Sequence, residues 1–582
     1  MPSLKGQEMA STICLSGTYG SAPNKMVRLR WFAVPAAIWM ALAILFATSS
    51  SSVSQPQYFF LTQDVPVAAL MIGFLMLVRW QNEATRKQLL SQPGTLACAM
   101  LVMAGIAWIG HYWLMQGYAL SRDEDLARLA ANYIARGEMG IAIPPEWRAF
   151  RGAMLPEFQH PIGGERYWIS IYLPGSALFE ALVSLVADPA LSQPLLLLVG
   201  LAALWHVSGI LLPARRDSRI VVMLLALTSG QLLFNAMTPY AMTAHFALNL
   251  LWLALFVADR PLAHAGAILV GAIALGLHKV QFHALFAGPV LIILLYQRRW
   301  LLSAIYAVSY SIFIIFWLKF YPLLLAHSLD IPLSGAGSQN ASISPRLHSL
   351  DPLIYIPRFF AWNNALLLPL SLLGARSAAK GFCKGKAATY PNLLFLALAA
   401  GCLVGMLLTV HQGLGWGYRY LHGYIGPFCL LAGRGWADRH TVHSTLRPVL
   451  QSCVLALVLM MAQAAMIYRF VAPHARAHAA IVARKADVVL VDARGSVFGQ
   501  DVVRIDGGMV RKPIIMSMAH LDPGTVPDLC QGYRVEVFDR ADFVRAGVKE
   551  AEIERSTTTR RMDAIGSYLK ETGCASSKLT GL

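Results

Sequence analysis

Residues 95–138 read TLACAMLVMAGIAWIGHYWLMQGYALSRDEDLARLAANYIARGE. From Thr95 to Leu120 there is no Asp, Glu, Lys or Arg. Positions 122–128 then hold five charges: Arg122, Asp123, Glu124, Asp125 and Arg128. An uninterrupted apolar run of about 20 residues is long enough to cross a bilayer, so this stretch reads as a membrane span opening directly onto a charged helix. The rest of the chain has the same character. Of its 582 residues 56% are hydrophobic and only 14% charged, against about 25% charged in soluble domains.

Thirteen apolar runs recur, near 29–48, 62–79, 95–118, 193–212, 219–236, 241–258, 262–278, 281–297, 301–320, 355–374, 391–410, 418–434 and 449–470. With the N-terminus inside, the cytoplasmic loops collect Arg28 and Arg30; Arg79, Arg86 and Lys87; Arg215, Arg216 and Arg219; Arg260; Arg298 and Arg299; Arg376, Lys380, Lys384 and Lys386; and Arg434, Arg439 and Arg447. The loop SSSSVSQPQYFFLTQD (49–64) has no basic residue. This alternation is what the positive-inside rule requires. It accounts for most of the net charge of +17 and removes the case for a nucleic-acid partner. Residues 1–25 form a polar extension, and Met26 before Val-Arg-Leu-Arg reads as a start site for a membrane anchor.

The run 168–187, WISIYLPGSALFEALVSLVA, is long enough to span, but counting it would reverse every later loop. Its Pro174-Gly175 break and Glu180 suit a helix lying at the outer surface. The expected fold is therefore an α-helical polytopic membrane protein of about thirteen transmembrane helices. Residues 26–94 hold two N-terminal spans, and 95–470 a helical region with a long outer loop at 119–192. A small C-terminal α/β extramembrane domain follows at 471–582. In that tail ADVVLVDA, RKPIIMSM and YRVEVF read as strands between breakers and 557–572 as a helix.

Cys98, Cys402, Cys429 and Cys453 lie in spans and read as small buried hydrophobes. Cys14 and Cys383 fall on the reducing side, and no C-x-x-C suggests a zinc site. Cys530 and Cys574 share the outer tail, and a disulfide between them is expected there.

The outer side gathers three polar clusters besides the carboxylates: 238-TPYAMTAHF-246, 278-HKVQFH-283 and 411-HQGLGWGYRYLHGY-424. Ser121 and the acids suit a helix N-terminus electrostatically, and that alone is a sufficient reason for them. A second reading joins them to the clusters. Carboxylates supply a general base, cations neutralise a departing phosphate, and aromatics stack on sugars or line the interface. Lys279 also suits snorkelling to headgroups, and Trp416 with the tyrosines suits an aromatic belt. Gly401 and Gly405 make a small-residue helix contact, read as internal packing.

Here the sequence resembles the GT-C membrane glycosyltransferases, among them protein O-mannosyltransferases and the lipid A aminoarabinose transferase. Asp123-Glu124 with Ala131-Asn132 and Arg136-Gly137 is similar to their D-E…A-R-N…G pattern. Tyr172-Leu-Pro174-Gly175 resembles their Y-x-P-G stretch. Gly417-Tyr418-Arg419-Tyr420-Leu421 followed by Pro427 is similar to their late G-x-R-Y-L…P element. The likeness spans roughly residues 95–435, and the two preceding spans lie outside it.

The resemblance implies a polyprenyl-phosphate-linked sugar as donor and a lipid or glycan acceptor at a bacterial inner membrane, on its periplasmic face. Asp123 would be the base, with Glu124 or Asp125 orienting the acceptor. Arg419, Lys279, His278 and His283 would bind the donor phosphate. Tyr172, Tyr418, Tyr420 and Trp416 would hold sugar or acceptor. Some members carry a further acid in the second outer loop as a route to a divalent metal. Here that loop offers only His245, a type of lone histidine that more often makes structural hydrogen bonds. The rival readings are a transporter or lipid flippase and an inactive scaffold. Charges confined to one face and the absence of paired halves argue against transport.

Overall fold

In a computed structural model of the chain, the residues described are 29–49, 55–78, 93–154, 158–331, 352–383, 390–407, 412, 414–439, 446–505, 511–553 and 556–574. Seven helices among them are long and apolar enough to cross a membrane. These are α1 (Arg30–Thr48), α2 (Pro56–Leu77), α3 (Gly94–Trp113), α6 (Pro189–Leu211), α12 (Trp300–Ser328), α15 (Tyr390–Leu407) and α17 (Arg447–Val482). Between them lie α4 (Arg122–Ala135), α5 (Gly175–Ser184), α7 (Arg216–Leu227), α8 (Gly230–Asn235), α9 (Met242–Val257), α10 (Pro261–Leu275), α11 (Val280–Tyr296), α13 (Pro352–Ala361), α14 (Leu367–Cys383) and α16 (Ile425–Ala437). So seven of the thirteen expected runs are full-length helices, and the other six are shorter or interrupted. Residues 168–187 do not form a span. They fold as a short strand and the ten-residue α5, whose buried face carries Ala177, Glu180 and Ala181 while Leu178 and Leu182 are exposed.

The interruptions have a physical cause. Run 219–236 breaks at Thr228-Ser229, where the Ser229 hydroxyl caps the next turn by accepting the Leu232 N–H. Run 355–374 breaks at Asn363-Asn364, whose side chains face those hydroxyls. Ser229 Oγ donates to Asn363 Oδ1 at 2.7 Å, and Asn364 Nδ2 donates to Thr228 Oγ1 at 3.0 Å. Run 418–434 begins as a 3-10 turn, Arg419–Tyr424, and becomes α-helical only at Ile425. Non-helical backbone is tolerated at membrane depth only where protein satisfies it. Here the breaks satisfy one another. Gln231 Nε2 donates to the Tyr418 carbonyl at 2.7 Å, Asn235 Nδ2 to Trp416 O at 2.9 Å, and Arg358 Nη2 to Gly415 O at 2.8 Å. Gly417, at φ +75°, sits where a Cβ would lie 2.7 Å from Gln231 Oε1, so only glycine fits.

Deeper in the bundle, α14 and α16 meet backbone to backbone. A Cβ at Gly374 would fall 2.0 Å from Leu431 O, and one at Gly435 would fall 2.2 Å from Leu370 O. Gly401 and Gly405 face the ring of Tyr424 within the same chain, as the internal-packing reading of that pair expects.

The strands read in the tail are present as β1 (Val488–Val491), β2 (Ile514–Ser517) and β3 (Val535–Phe538), in the order β2-β1-β3 and all parallel. Their near-continuous Val/Ile composition suits a sheet covered on both faces. Val488, Leu490 and Met516 share one core with Leu126, Leu129, Trp147 and Trp168 of the 119–192 loop and with Met562 of the last helix, Thr557–Glu571. Val489, Val491 and Ile515 pack on Ala477 and Ile481 of α17. That helix runs unbroken for 36 residues, through position 471 and into the sheet layer. Cys530 and Cys574 are disulfide-bonded.

Candidate active site

The segment after α3 turns into α4 through Ser121, whose hydroxyl accepts the Glu124 N–H at 3.3 Å as an N-cap. From this turn the three consecutive carboxylates diverge. Asp123 points toward the 412–424 segment, where its Oδ2 accepts from Arg419 Nη2 at 2.6 Å. Its other oxygen accepts from the hydroxyl of Tyr172. Glu124 is buried and folds back on its own helix start, accepting the Leu120 N–H at 2.7 Å. Burial pushes its carboxyl up to about 7, against the pull of those N–H donors and of Arg419 and Arg128. Asp125 faces the tail, with Oδ1 3.5 Å from Arg504 Nη1.

Around Asp123 the walls are aromatic and cationic. Tyr172 stacks on His278 with ring centroids 4.0 Å apart, and the Lys279 ammonium lies 5.9 Å from the Tyr172 ring. Burial lowers the affinity of Lys279 for its proton while Asp123 raises it. The Arg419 guanidinium lies over Tyr240 at 4.5 Å and near Tyr420 at 5.5 Å. Such stacking on aromatic faces fixes the plane of an arginine fork. Gln412 fixes the backbone beneath it, its Oε1 accepting the Arg419 N–H at 2.9 Å and its Nε2 donating to Gly417 O at 2.9 Å.

The structure thus brings together Asp123, Tyr172, His278, Lys279, Arg419 and Tyr420, from four separate stretches of sequence. Other expected site residues are elsewhere. His283 is fully buried inside the bundle, bonded to Asn249 Oδ1 and Tyr310 Oη at 2.8 Å each. Both ring nitrogens are thus engaged within the bundle. Trp416 and Tyr418 are fully buried, Trp416 beside Trp362 and Tyr418 stacked on Tyr355 at 4.7 Å. They brace the loop from behind. Asp125 is engaged with Arg504, and Glu124 with its own helix. His245 is buried against Phe282, and among the described residues no group of three or more His, Cys, Asp or Glu side chains is arranged to hold a metal ion. Of the 411–424 cluster, His411 and Gly413 lie outside the described residues.

Sequence reasoning missed Tyr240, although it lies in the quoted 238–246 cluster. Its hydroxyl is 2.6 Å from Ser121 Oγ, so it joins the helix cap to the arginine platform. It also missed Gln412 and Arg504. Only a polar residue in an apolar context signalled the first, and nothing local signalled the second.

No family model matches the sequence, and no curated protein matches it. Among solved structures the chain is similar to ArnT from Cupriavidus metallidurans in the apo state, at 12% identity over 70% of this chain and 84% of that one, with a TM-score of 0.46. It is similar to the same protein bound to undecaprenyl phosphate at 14% identity, over 68% and 66% of the two chains, with a TM-score of 0.41. The oligosaccharyltransferase of Archaeoglobus fulgidus, in complex with Zn and sulfate, gives 10% identity, 70% and 61% coverage and a TM-score of 0.42.

Proposed function

We propose that this chain is a membrane glycosyltransferase that moves a sugar from a polyprenyl-phosphate donor to an acceptor hydroxyl. The observation that carries the reading is the Asp123–Arg419 pair at 2.6 Å, set among Tyr172, His278 and Lys279 where the charged helix leaves the bundle. A carboxylate and cations held together at a bundle mouth are what a lipid-phosphate donor needs, since its leaving group stays in the membrane.

In this mechanism the acceptor oxygen attacks the anomeric carbon as the carbon–oxygen bond to the phosphate breaks, with inversion. Asp123 takes the hydroxyl proton. The electron pair leaves with polyprenyl phosphate, whose charge Arg419 and Lys279 neutralise. Tyr172 donates to Asp123 and holds the carboxylate in place, while His278 supports the Tyr172 ring from below. Tyr420 offers a face to the sugar.

The topology that goes with this reading has about thirteen spans, the N-terminus in the cytoplasm and the site on the periplasmic face of a bacterial inner membrane. The 471–582 region is then an extracytoplasmic α/β domain and 95–470 the catalytic region. A transporter or lipid flippase is the alternative. The cluster of Asp123, Arg419 and Lys279 favours the enzyme, because these charges gather at one site around Tyr172.

The deciding experiment uses detergent-solubilised protein with a polyprenyl-phosphate sugar and a membrane extract as acceptor. Release of polyprenyl phosphate without sealed vesicles supports transfer. Activity that appears only across a sealed bilayer, with no donor cleaved, would overturn it.

A further inference from the structure

Among the described residues, neither the two N-terminal spans nor the tail places a side chain on Asp123, yet the tail grips the turn that carries it and the second span grips the tail. Residues 497–504 of the tail are the point of contact. Arg504 is almost wholly buried and reaches the two residues that precede the turn, donating to Ala119 O at 2.7 Å and to Tyr118 Oη at 2.7 Å. Its guanidinium lies 4.2 Å from the Tyr118 ring, and it pairs with Asp125 at 3.5 Å. From the other side, Arg122 donates to Gln500 O at 2.9 Å and lies 3.7 Å from Asp501. Asp123 is therefore flanked in sequence by two residues that the tail holds.

The same loop is anchored into the bundle. Phe498 has a left-handed backbone, φ +55°, uncommon for an aromatic residue. Its ring stacks on Phe59 of α2 at 5.6 Å and meets Tyr58 edge-on at 5.6 Å. The Val497 carbonyl is 2.9 Å from Nε2 of His474, in α17. Phe59 in turn lies beneath Arg358, which pairs at 2.8 Å with Asp64 of α2 and donates to Gly415 O, four residues before Arg419.

We infer that Arg504 is a positioning residue for Asp123, and that the 497–504 loop clamps the base-bearing turn against α2 and α17. The tail and the extra spans thereby set the geometry of the reaction without touching substrate. Displacing a reacting group by about 1 Å costs on the order of 10²-fold in rate, so the clamp acts on turnover and not on donor affinity. The inference rests on Asp123 being the base.

The test compares Arg504→Met, Arg504→Lys and, as a control, Arg494→Met in the full chain. Arg494 bonds to Asp492 and Asp563, inside the tail. Two readouts are taken: transfer kinetics with a polyprenyl-phosphate sugar, and hydrogen exchange of the backbone amides. Arg504→Met is expected to lower kcat by about 10- to 100-fold while the donor KM moves less than about threefold. Amides 119–128 should exchange faster in that variant while those of 488–491 stay protected. Arg504→Lys should recover part of both effects, and Arg494→Met should show neither. Unchanged kcat and unchanged exchange at 119–128 in Arg504→Met would overturn the clamp. So would loss of protection in 488–491 together with activity, which is a folding defect. A chain that transfers no sugar at all refutes the base assignment, and the exchange readout still decides whether the turn is clamped.

Discussion

Three adjacent acids have three fates because a helix start presents successive side chains about 100° apart. Asp123 meets Arg419, Glu124 turns back to its own N–H groups, and Asp125 meets Arg504. Asp123→Asn keeps the size and loses the base. Transfer should fall by about 10²-fold or more with unchanged membrane insertion, and a variant of normal activity would refute the assignment. Arg419→Lys keeps the charge and loses the planar fork stacked on Tyr240. The donor KM should rise by roughly tenfold, and equal donor use by the two side chains would mean that only the charge matters. Glu124 titrates in the opposite sense to a paired carboxylate. Its folded value of about 7 lies above the ordinary value of 4.5, so the folded state holds the extra proton. Its contribution to stability is most favourable below about pH 4.5 and is lost as pH rises through 7. Melting in detergent should shift downward between pH 5 and 8, and Glu124→Gln should flatten that slope. At this scale the sequence made the acidic cluster legible, since charge after an apolar run stands out. It did not show which acid meets a cation, because Arg419 and Arg504 come from hundreds of residues away.

At the level of elements, the apolar runs were legible and their interruptions were not. A hydropathy window averages over Asn363-Asn364 and Thr228-Ser229, so runs 355–374 and 219–236 look continuous. In the structure those polar pairs break both helices, and side chains near the breaks, Gln231, Asn235 and Arg358, hold the backbone of the loop that bears Arg419. Gln231 illustrates the cost of removing such a link. Gln231→Leu leaves the buried Tyr418 carbonyl without its 2.7 Å donor. An orphaned buried acceptor costs about 1–3 kcal/mol, and loosening at Tyr418 should pass directly to Arg419. The expected result is a lower melting temperature together with weaker donor binding. A drop in stability with unaltered donor binding would show that the loop holds its shape by other contacts. The tail strands were readable for the reason the broken helices were not: each is a short β-branched run bounded by Gly, Pro or Asp, a local pattern. Their parallel order is not local and had no signature.

Over the whole molecule, the proposed topology can be tested by the two ends of one helix. The residues around Asp123 lie at one end of the bundle, and the basic residues Arg434 and Arg439 lie at the far end of α16, the helix that Arg419 leads into. A reporter active only in the cytoplasm should work when inserted after Arg439 and fail after Gly573. Activity at both sites would break the alternation on which the thirteen-span topology depends.

The unbroken run of α17 has a further consequence. Its 36 residues extend roughly 54 Å at 1.5 Å per residue, while the hydrocarbon of a bilayer is about 30 Å thick. The helix is therefore a mast as well as a membrane span. A mast that is a helix transmits phase along with height: each residue added below the sheet would lift it by about 1.5 Å and swing it by about 100°. The azimuth at which Arg504 faces Asp125 is thus counted out, residue by residue, from inside the membrane. An evolutionary insertion or deletion in this helix must come in near-whole turns, or the upper layer rotates away from the turn it grips.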